Sequence, residues 1–154
     1  LVTGAGSMGL MGAVNDAAIA VGGTTIGIIP QFMVDRGWHH RGLSKLEITD
    51  SMHSRKEMMA ELSQAAIALP GGIGTFEELL EIITWRQLGL YGGNIVIFNV
   101  NGYYDNLLAM LDTAINQHFM KADHRQLWSV ANTASEAVDM ALATNNYKSF
   151  SAKF

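Results

Sequence analysis

Ala65-Ala66-Ile67-Ala68-Leu69-Pro70-Gly71-Gly72-Ile73-Gly74-Thr75-Phe76-Glu77-Glu78 holds a strand, a turn and a helix start in fourteen residues. The run at 65–69 is short, apolar and uninterrupted, which suits a strand buried on both faces. Pro70 and three glycines break it. Thr75 with Glu78 three positions on has the pattern of a capping box, and the spacing predicts a helix from there to about residue 90. A strand that passes through a glycine turn into a helix is the unit from which parallel α/β sheets are built.

The same unit recurs in both directions. Residues 1–3 read as a strand tail, Gly4-Ala5-Gly6-Ser7-Met8-Gly9 as a loop, and about 8–21 as a helix. Leu10, Met11, Val14, Ala17, Ala18 and Val21 give that helix its apolar spacing, and Gly22-Gly23 stops it. A buried strand follows at 24–29, irregular chain at 30–43 and a short strand at 46–49. Ser54 with Glu57 suggests another capping box, opening a helix to about 64. Beyond the 75–90 helix come a strand at 95–99, a turn at Asn101-Gly102, a helix at about 104–118, a strand near 128–131 and a last helix boxed by Thr133 and Glu136. This alternation predicts an α/β fold, a Rossmann-like doubly wound parallel sheet with helices on both faces. Residues 1–144 are expected to form a single nucleotide-binding domain, and 145–154 a polar tail. The opening Leu1-Val2-Thr3-Gly4 has no initiating Met and starts at the end of a strand, so the first strand–helix unit of the sheet reads as absent.

Composition narrows the function. At 154 residues, 49% hydrophobic and 16% charged, the chain has the makings of one folded domain and not of a disordered one. No uncharged apolar run nears the ~18 residues of a membrane span, and no basic block leads into an apolar stretch as in a signal peptide. The expected setting is cytoplasmic, without membrane contact. Cysteine is absent, which excludes disulfides, a thiolate nucleophile and a zinc knuckle. The five histidines show no metal-binding spacing, so no metal is expected. Ten Lys and Arg against fourteen Asp and Glu leave −4, which argues against a nucleic-acid partner.

Parallel sheets bind ligands at the carboxyl ends of their strands. The segments starting at Gly4, Asp50, Pro70 and Asn99 fall there. Gly4, Gly6 and Gly9 match the dinucleotide pattern G-x-G-x-x-G in its proper context. An NAD-dependent oxidoreductase would place an acidic residue at the end of the next strand, and here that strand ends Ile28-Ile29-Pro30-Gln31. The loop therefore suits backbone approach to a phosphate or sugar, or else is a tight turn with no ligand. In the second loop, Gly71, Gly72 and Gly74 let main-chain N–H groups face an anion at a helix start. Without a loop Lys it is not a triphosphate-binding loop, and a phosphomonoester fits better.

Four charged residues stand close by in sequence. Glu78 either caps its helix or serves as a carboxylate for chemistry. Glu77 reads as solvated or supporting. Arg55 and Lys56 sit in a first helical turn, where positive charge opposes the macrodipole by about 0.3–1 kcal/mol. That placement suggests an adjacent anion; the alternative is a solvated pair. His53 reads as a local hydrogen-bonder. The irregular stretch 30–43 holds Asp35, Arg36, Trp38, His39, His40 and Arg41; it reads as part of a ligand pocket, or else Trp38, His39 and Arg41 are a solvated loop.

Taken together these residues resemble the LONELY GUY family of cytokinin-activating phosphoribohydrolases, long labelled lysine decarboxylases. The likeness rests on Gly6-Ser7-Met8-Gly9-Leu10-Met11-Gly12, on Met52-His53-Ser54-Arg55-Lys56, on the highly specific Pro70-to-Glu78 signature, on Thr84-Trp85-Arg86-Gln87-Leu88-Gly89 and on Asn99-Val100-Asn101-Gly102-Tyr103-Tyr104-Asp105. Ala5 departs from it, standing where the family usually has a glycine. The resemblance implies hydrolysis of the N-glycosidic bond of a nucleoside 5′-monophosphate, cytokinin-type or adenine, to free base and ribose 5-phosphate. It implies Arg55 and Glu78 as catalytic residues. Substrate contacts would come from Gly4, Gly6, Ser7, Lys56, Gly71, Gly72, Gly74, Thr75, Glu77 and Thr84. No cofactor is implied. Decarboxylation would ordinarily need pyridoxal phosphate and a Schiff-base lysine, and none of the five lysines lies in the glycine loops. A non-catalytic nucleotide- or phosphate-binding module built on the same loops is the alternative.

A homodimer is also expected. Phe76, Leu79, Leu80, Ile83 and Leu90 make one apolar face of the 75–90 helix, enough to dock it on the sheet. Ile82, Trp85 and Leu88 lie around the other side, and a Trp with two aliphatic neighbours there suggests a partner surface. The alternative is that Trp85 packs under the 119–131 segment of its own chain.

Overall fold

The structure, a computed structural model, describes residues 1–144. The 145–154 tail lies outside the described residues. The chain divides into two compact units, with the boundary between Ser63 and Gln64.

The first unit runs β1 (Val2–Thr3), α1 (Gly9–Ala20), β2 (Ile26–Pro30), α2 (Gln31–Asp35), β3 (Lys45–Thr49) and α3 (Met52–Leu62). Its three strands are parallel in the order β1-β2-β3, with Val2 opposite Ile26 and Ile26 opposite Lys45. Ile28 and Ile29 on the middle strand are fully buried. The second unit runs β4 (Ala65–Ala68), α4 (Ile73–Gln87), β5 (Asn94–Phe98), α5 (Asp105–Asn116), β6 (Ser129–Ala131) and α6 (Ala134–Leu142). Two 3₁₀ turns, Val100–Gly102 and Ala122–Leu127, join them. Its strands are parallel in the order β4-β5-β6. Ile95, Val96 and Ile97 of β5 are buried, and Val96 packs with Ala131 and Ala137 of α6. The architecture is α/β and Rossmann-like, two three-stranded parallel sheets flanked by helices. Each strand therefore delivers its carboxyl end to the same edge of its own sheet.

Several details differ from the sequence reading. β4 is only half-covered and not buried on both faces; Ile67 keeps 37% of its surface. Leu10 and Val21 of the first helix are exposed, while Gly12 and Asn15 are its buried residues. The 30–43 stretch contains the short helix α2. On α4, Leu79, Ile83 and Arg86 are buried and Leu80 is exposed; Leu90 lies past the end of the helix and is exposed too. Arg86 takes an inward position because its Nη1 donates to the Gly93 carbonyl.

Helix caps account for most of the boundary shifts. The Thr133–Glu136 box forms as read: Glu136 N–H donates to Thr133 Oγ1 at 3.2 Å, and Thr133 N–H returns to Glu136 Oε2 at 3.2 Å. Amides of Asn132 and Thr133 hold the Glu136 carboxyl below its ordinary pKa. The α3 box lies three residues earlier than expected, with Ser51 as N-cap closing on Ser54. Helix α4 also starts three residues early. Gly72 is its N-cap with no side-chain cap, so Thr75 is the third helical residue and Glu78 lies past the first turn. The capping role considered for Glu78 is thereby excluded.

Gly12 sets how closely α1 approaches the loop ahead of it. A Cβ there would collide with the Ser7 carbonyl, which is main chain and cannot swing away. Gly12→Ala is expected to cost about 1–2 kcal/mol, because overpacking of up to ~3 kcal/mol outweighs a helix-propensity gain of ~1 kcal/mol. A lower urea midpoint at unchanged m value checks this.

Candidate functional site

In the first unit, β1 ends in the loop Gly4–Gly9, and nearly every polar group of its first half is engaged. Ala5 is fully buried with φ +64°, a left-handed conformation rare outside glycine. Its N–H donates to Thr3 Oγ1 (3.3 Å) and its carbonyl accepts the His40 N–H (2.8 Å). Gly6 N–H donates to Met11 Sδ (3.0 Å), and Asn15 Nδ2 donates to the Gly6 carbonyl (3.4 Å). Ser7 is exposed.

Arg55 and Lys56 are 5% and 7% exposed, at the fourth and fifth positions of α3. Burial excludes the solvated-pair reading, and their position past the first turn removes the macrodipole argument. Arg55 Nε donates to the Ile28 carbonyl at 3.0 Å and Nη2 to the Gly4 carbonyl at 3.4 Å. A Cβ on Gly4 would fall on Nη2; glycine is needed there for the guanidinium to reach the ends of β1 and β2. The structure thus joins two expected site residues, Gly4 and Arg55.

Beside this loop opens a cavity of about 430 Å³, lined chiefly by Gly6, Ser7, Met8, Met11, Met33 and Trp38. The Arg36 guanidinium stacks over the rings of Trp38 (5.0 Å) and Phe32 (5.7 Å). His40 accepts the Gly42 N–H at Nδ1 (3.0 Å), so its proton is on Nε2, facing Asp16 Oδ1 at 2.9 Å. Of the 30–43 residues singled out in the sequence, Trp38 lines the cavity and His40 anchors the loop. Arg41 is exposed, and Asp35 accepts a hydrogen bond from Gln31 Nε2 at 2.7 Å.

In the second unit, the chain leaving β4 is clamped from the loop after β5. Tyr104 O–H donates to the Leu69 carbonyl (2.6 Å) and Tyr103 O–H to the Gly71 carbonyl (2.5 Å). Asn99 organises the clamp, accepting Tyr104 N–H (2.7 Å) and donating to Asp105 Oδ1 (2.8 Å). Burial, and then the neighbouring Tyr103, push the Tyr104 phenol pKa up, so it stays a protonated donor. Gly71 closes against Thr75, whose side chain a Cβ there would strike. Thr75 and Phe76 N–H both point to the Gly72 carbonyl (3.0 and 3.1 Å). Ile73 and Gly74 supply the leading amides of a fifteen-residue helix, where helix geometry gives no carbonyl partner.

Gly72 and Gly74 differ from Gly71 of the same loop and share their open surroundings with Gly92. Neither has positive φ, and nothing lies within 4 Å of where a Cβ would stand. Folding does not require glycine at either position, and the backbone there stands open. Glu77 is exposed and Glu78 half-buried, one turn into the same helix. Thr84 donates its hydroxyl to the Leu80 carbonyl at 2.8 Å, on its own helix. It stands ten residues past Gly74, roughly 15 Å along the axis, so the structure does not bring it to the glycine loop. Among the described residues no His, Asp and Glu group could hold a metal ion. No described helix is long and apolar enough to cross a membrane.

Thr3, Met11, Asn15, Tyr103 and Tyr104 hold these loops and were not singled out as site residues. Asn15 left a signal, a polar residue among apolar helix positions. The tyrosine clamp left none, since its bonds are to carbonyls distant in sequence.

The chain matches the family model described as possible lysine decarboxylase over residues 11–141. It is 45% identical over 136 residues to a probable cytokinin riboside 5′-monophosphate phosphoribohydrolase of Oryza sativa subsp. japonica, covering 88% of this chain and 55% of that protein. A cytokinin riboside 5′-monophosphate phosphoribohydrolase of Arabidopsis thaliana is 44% identical over 138 residues, 90% of this chain and 64% of its own length. A second Oryza sativa relative of that name is 43% identical over 138 residues, 90% of this chain and 57% of that protein. The chain belongs to this family, the LONELY GUY family of the sequence resemblance. It spans between 55% and 64% of the length of these curated relatives.

Gly74→Ala is expected to raise stability by about 0.5–1 kcal/mol, because glycine within a helix is disfavoured and the added methyl meets open space. Thermal unfolding checks this; a loss of stability would mean the fold itself needs glycine there.

Proposed function

We propose that the protein hydrolyses the N-glycosidic bond of a nucleoside 5′-monophosphate, of adenine or cytokinin type, releasing the free base and ribose 5-phosphate. The observation that carries this reading is the pair Gly72 and Gly74, glycines that the fold does not need, at the mouth of a long helix that bears Glu78 one turn on. Family membership supports it, through what the relatives' names say they act on. Nucleoside monophosphates are intracellular metabolites, which fits a cytoplasmic setting.

The 5′-phosphate sits on the amides leading α4, where the aligned peptide dipoles favour an anion. Gly71, Gly72, Gly74 and Thr75 form that cradle. Breaking the bond builds positive charge at the ribose, as in glycoside hydrolysis. The Glu78 carboxylate faces that charge and takes a proton from the attacking water, while the base leaves with the bonding electrons and is protonated. Phosphate binding away from the reacting carbon fixes the sugar in place for this step. In the first unit, the same reading gives Arg55 the role of a fixed positive charge, and Gly4, Gly6, Ser7 and Lys56 substrate contacts. Glu77 supports the cradle from solvent.

Glu78→Gln keeps the shape and removes the charge. It is expected to lower conversion of AMP to adenine by about 10²–10⁴-fold, read by chromatography of the free base, with the urea midpoint little changed. Unchanged turnover would remove Glu78 from the chemistry. Saturable AMP binding to the parent without release of base would favour the binding-module reading.

The homodimer belongs to the same proposal. Ile73, Leu80, Leu88 and Leu90 of the α4 region are exposed, while Trp85 is half-buried. Helix α4 also lies against the 3₁₀ turn Ala122–Leu127 of its own unit, which partly covers it. Light scattering at micromolar concentration is expected to give a dimer mass for the parent and a monomer mass for Trp85→Glu. A monomeric parent, or a mutant that dimerises equally well, contradicts this interface.

A further inference from the structure

Left-handed alanine persists only where its surroundings over-determine it, and at Ala5 those surroundings can be traced bond by bond. Ala5 N–H is held by Thr3 Oγ1 and its carbonyl by His40 N–H. The next carbonyl, of Gly6, accepts Asn15 Nδ2. Thr3 Oγ1 in turn donates to Asn15 Oδ1 at 3.2 Å, which ties the two supports together. Room for the Ala5 methyl comes from Gly27, whose missing Cβ would stand 2.6 Å from it.

Asn15 is fully buried in α1. A buried carboxamide is costly unless its donor and its acceptor are both used; here the donor goes to the loop at Gly6 and the acceptor to Thr3 at the end of β1. Of the four main-chain groups at Ala5 and Gly6, only the Gly6 N–H has a weak partner, the Met11 thioether. A phosphate or hydroxyl oxygen replaces that partner at little loss. The loop is therefore rigid on three contacts and exchangeable on the fourth, the amide that the proposed function assigns to substrate.

We propose that Asn15, acting with Thr3, is a positioning residue for the first substrate loop: it locks the Ala5–Gly6 peptide in its left-handed turn so that the Gly6 N–H is aimed before substrate arrives. The inference rests on the proposed function for the identity of the substrate, and on the structure alone for the locking. In this chain the alanine and the asparagine are coupled. A glycine at position 5 would adopt the same turn without the lock.

The test uses Asn15→Leu, which removes both side-chain bonds at similar volume, and Thr3→Val, which removes only the hydroxyl and is the gentler change should the first fail to fold. Each is made with Ala5 and with Ala5→Gly. Amide hydrogen exchange is expected to quicken at least tenfold at residues 5 and 6 in both single variants, with the Val96 amide unchanged. With AMP as substrate, KM should rise at least fivefold while kcat stays within twofold, and Ala5→Gly should return KM to within threefold of the parent. Unchanged exchange at residues 5 and 6 overturns the inference, as does a fall in kcat at constant KM or the absence of glycine rescue. If the parent neither binds nor cleaves AMP, the proposed function falls, and the exchange measurement alone decides whether Asn15 holds the loop.

Discussion

Main chain leaving the strands of this protein passes closer to its neighbours than a Cβ would allow, and the placement of functional groups follows from that constraint. Gly4 lets the Arg55 guanidinium reach the ends of two strands. Gly12 lets α1 close on the loop it follows, and Gly71 lets the second loop fold onto Thr75. Once these contacts are satisfied, the remaining glycines can be judged by what they do not do. A Cβ on Gly72 or Gly74 would meet nothing, and neither residue adopts a left-handed turn. The cost of a flexible residue at a helix start is then offset by access to its amides.

Each loop is held by a different chemistry. The first is fixed from within, by a buried carboxamide and a hydroxyl acting on consecutive residues. The second is fixed from outside, by two phenols donating to the Leu69 and Gly71 carbonyls. The tyrosine clamp uses main-chain carbonyls alone, whereas the first device takes the Ala5 amide and the Gly6 carbonyl and leaves the Gly6 N–H on a thioether. Rigid donors facing a site in advance need no reorganisation when charge develops.

Much of this was legible in the sequence. Strand and helix alternation gave the α/β class, and the two glycine loops fell where strands run into helices. Caps were harder to read. Thr75 and Glu78 carry the spacing of a box, yet the helix begins at Ile73 because Gly72 already supplies an N-cap conformation. Ser51 outcompeted Ser54 in the same way. Both errors had one cause: a spacing rule fixes the distance between two residues but not the frame they occupy. Burial of Arg55 was hidden for a different reason, since its side chain is drawn inward by the Ile28 and Gly4 carbonyls, far away in sequence. The tyrosine clamp and the Thr3–Asn15 pair were invisible because each depends on which strand lies beside which.

The central claim is that the amides leading α4 hold the 5′-phosphate of a nucleotide. Titrating the ¹⁵N-labelled protein with AMP, and separately with adenosine, tests it most directly. AMP should shift the Ile73, Gly74 and Thr75 amide resonances in a saturable way, and adenosine at the same concentration should leave them in place. Equal shifts with both ligands, or shifts with AMP confined to other residues, would contradict the account.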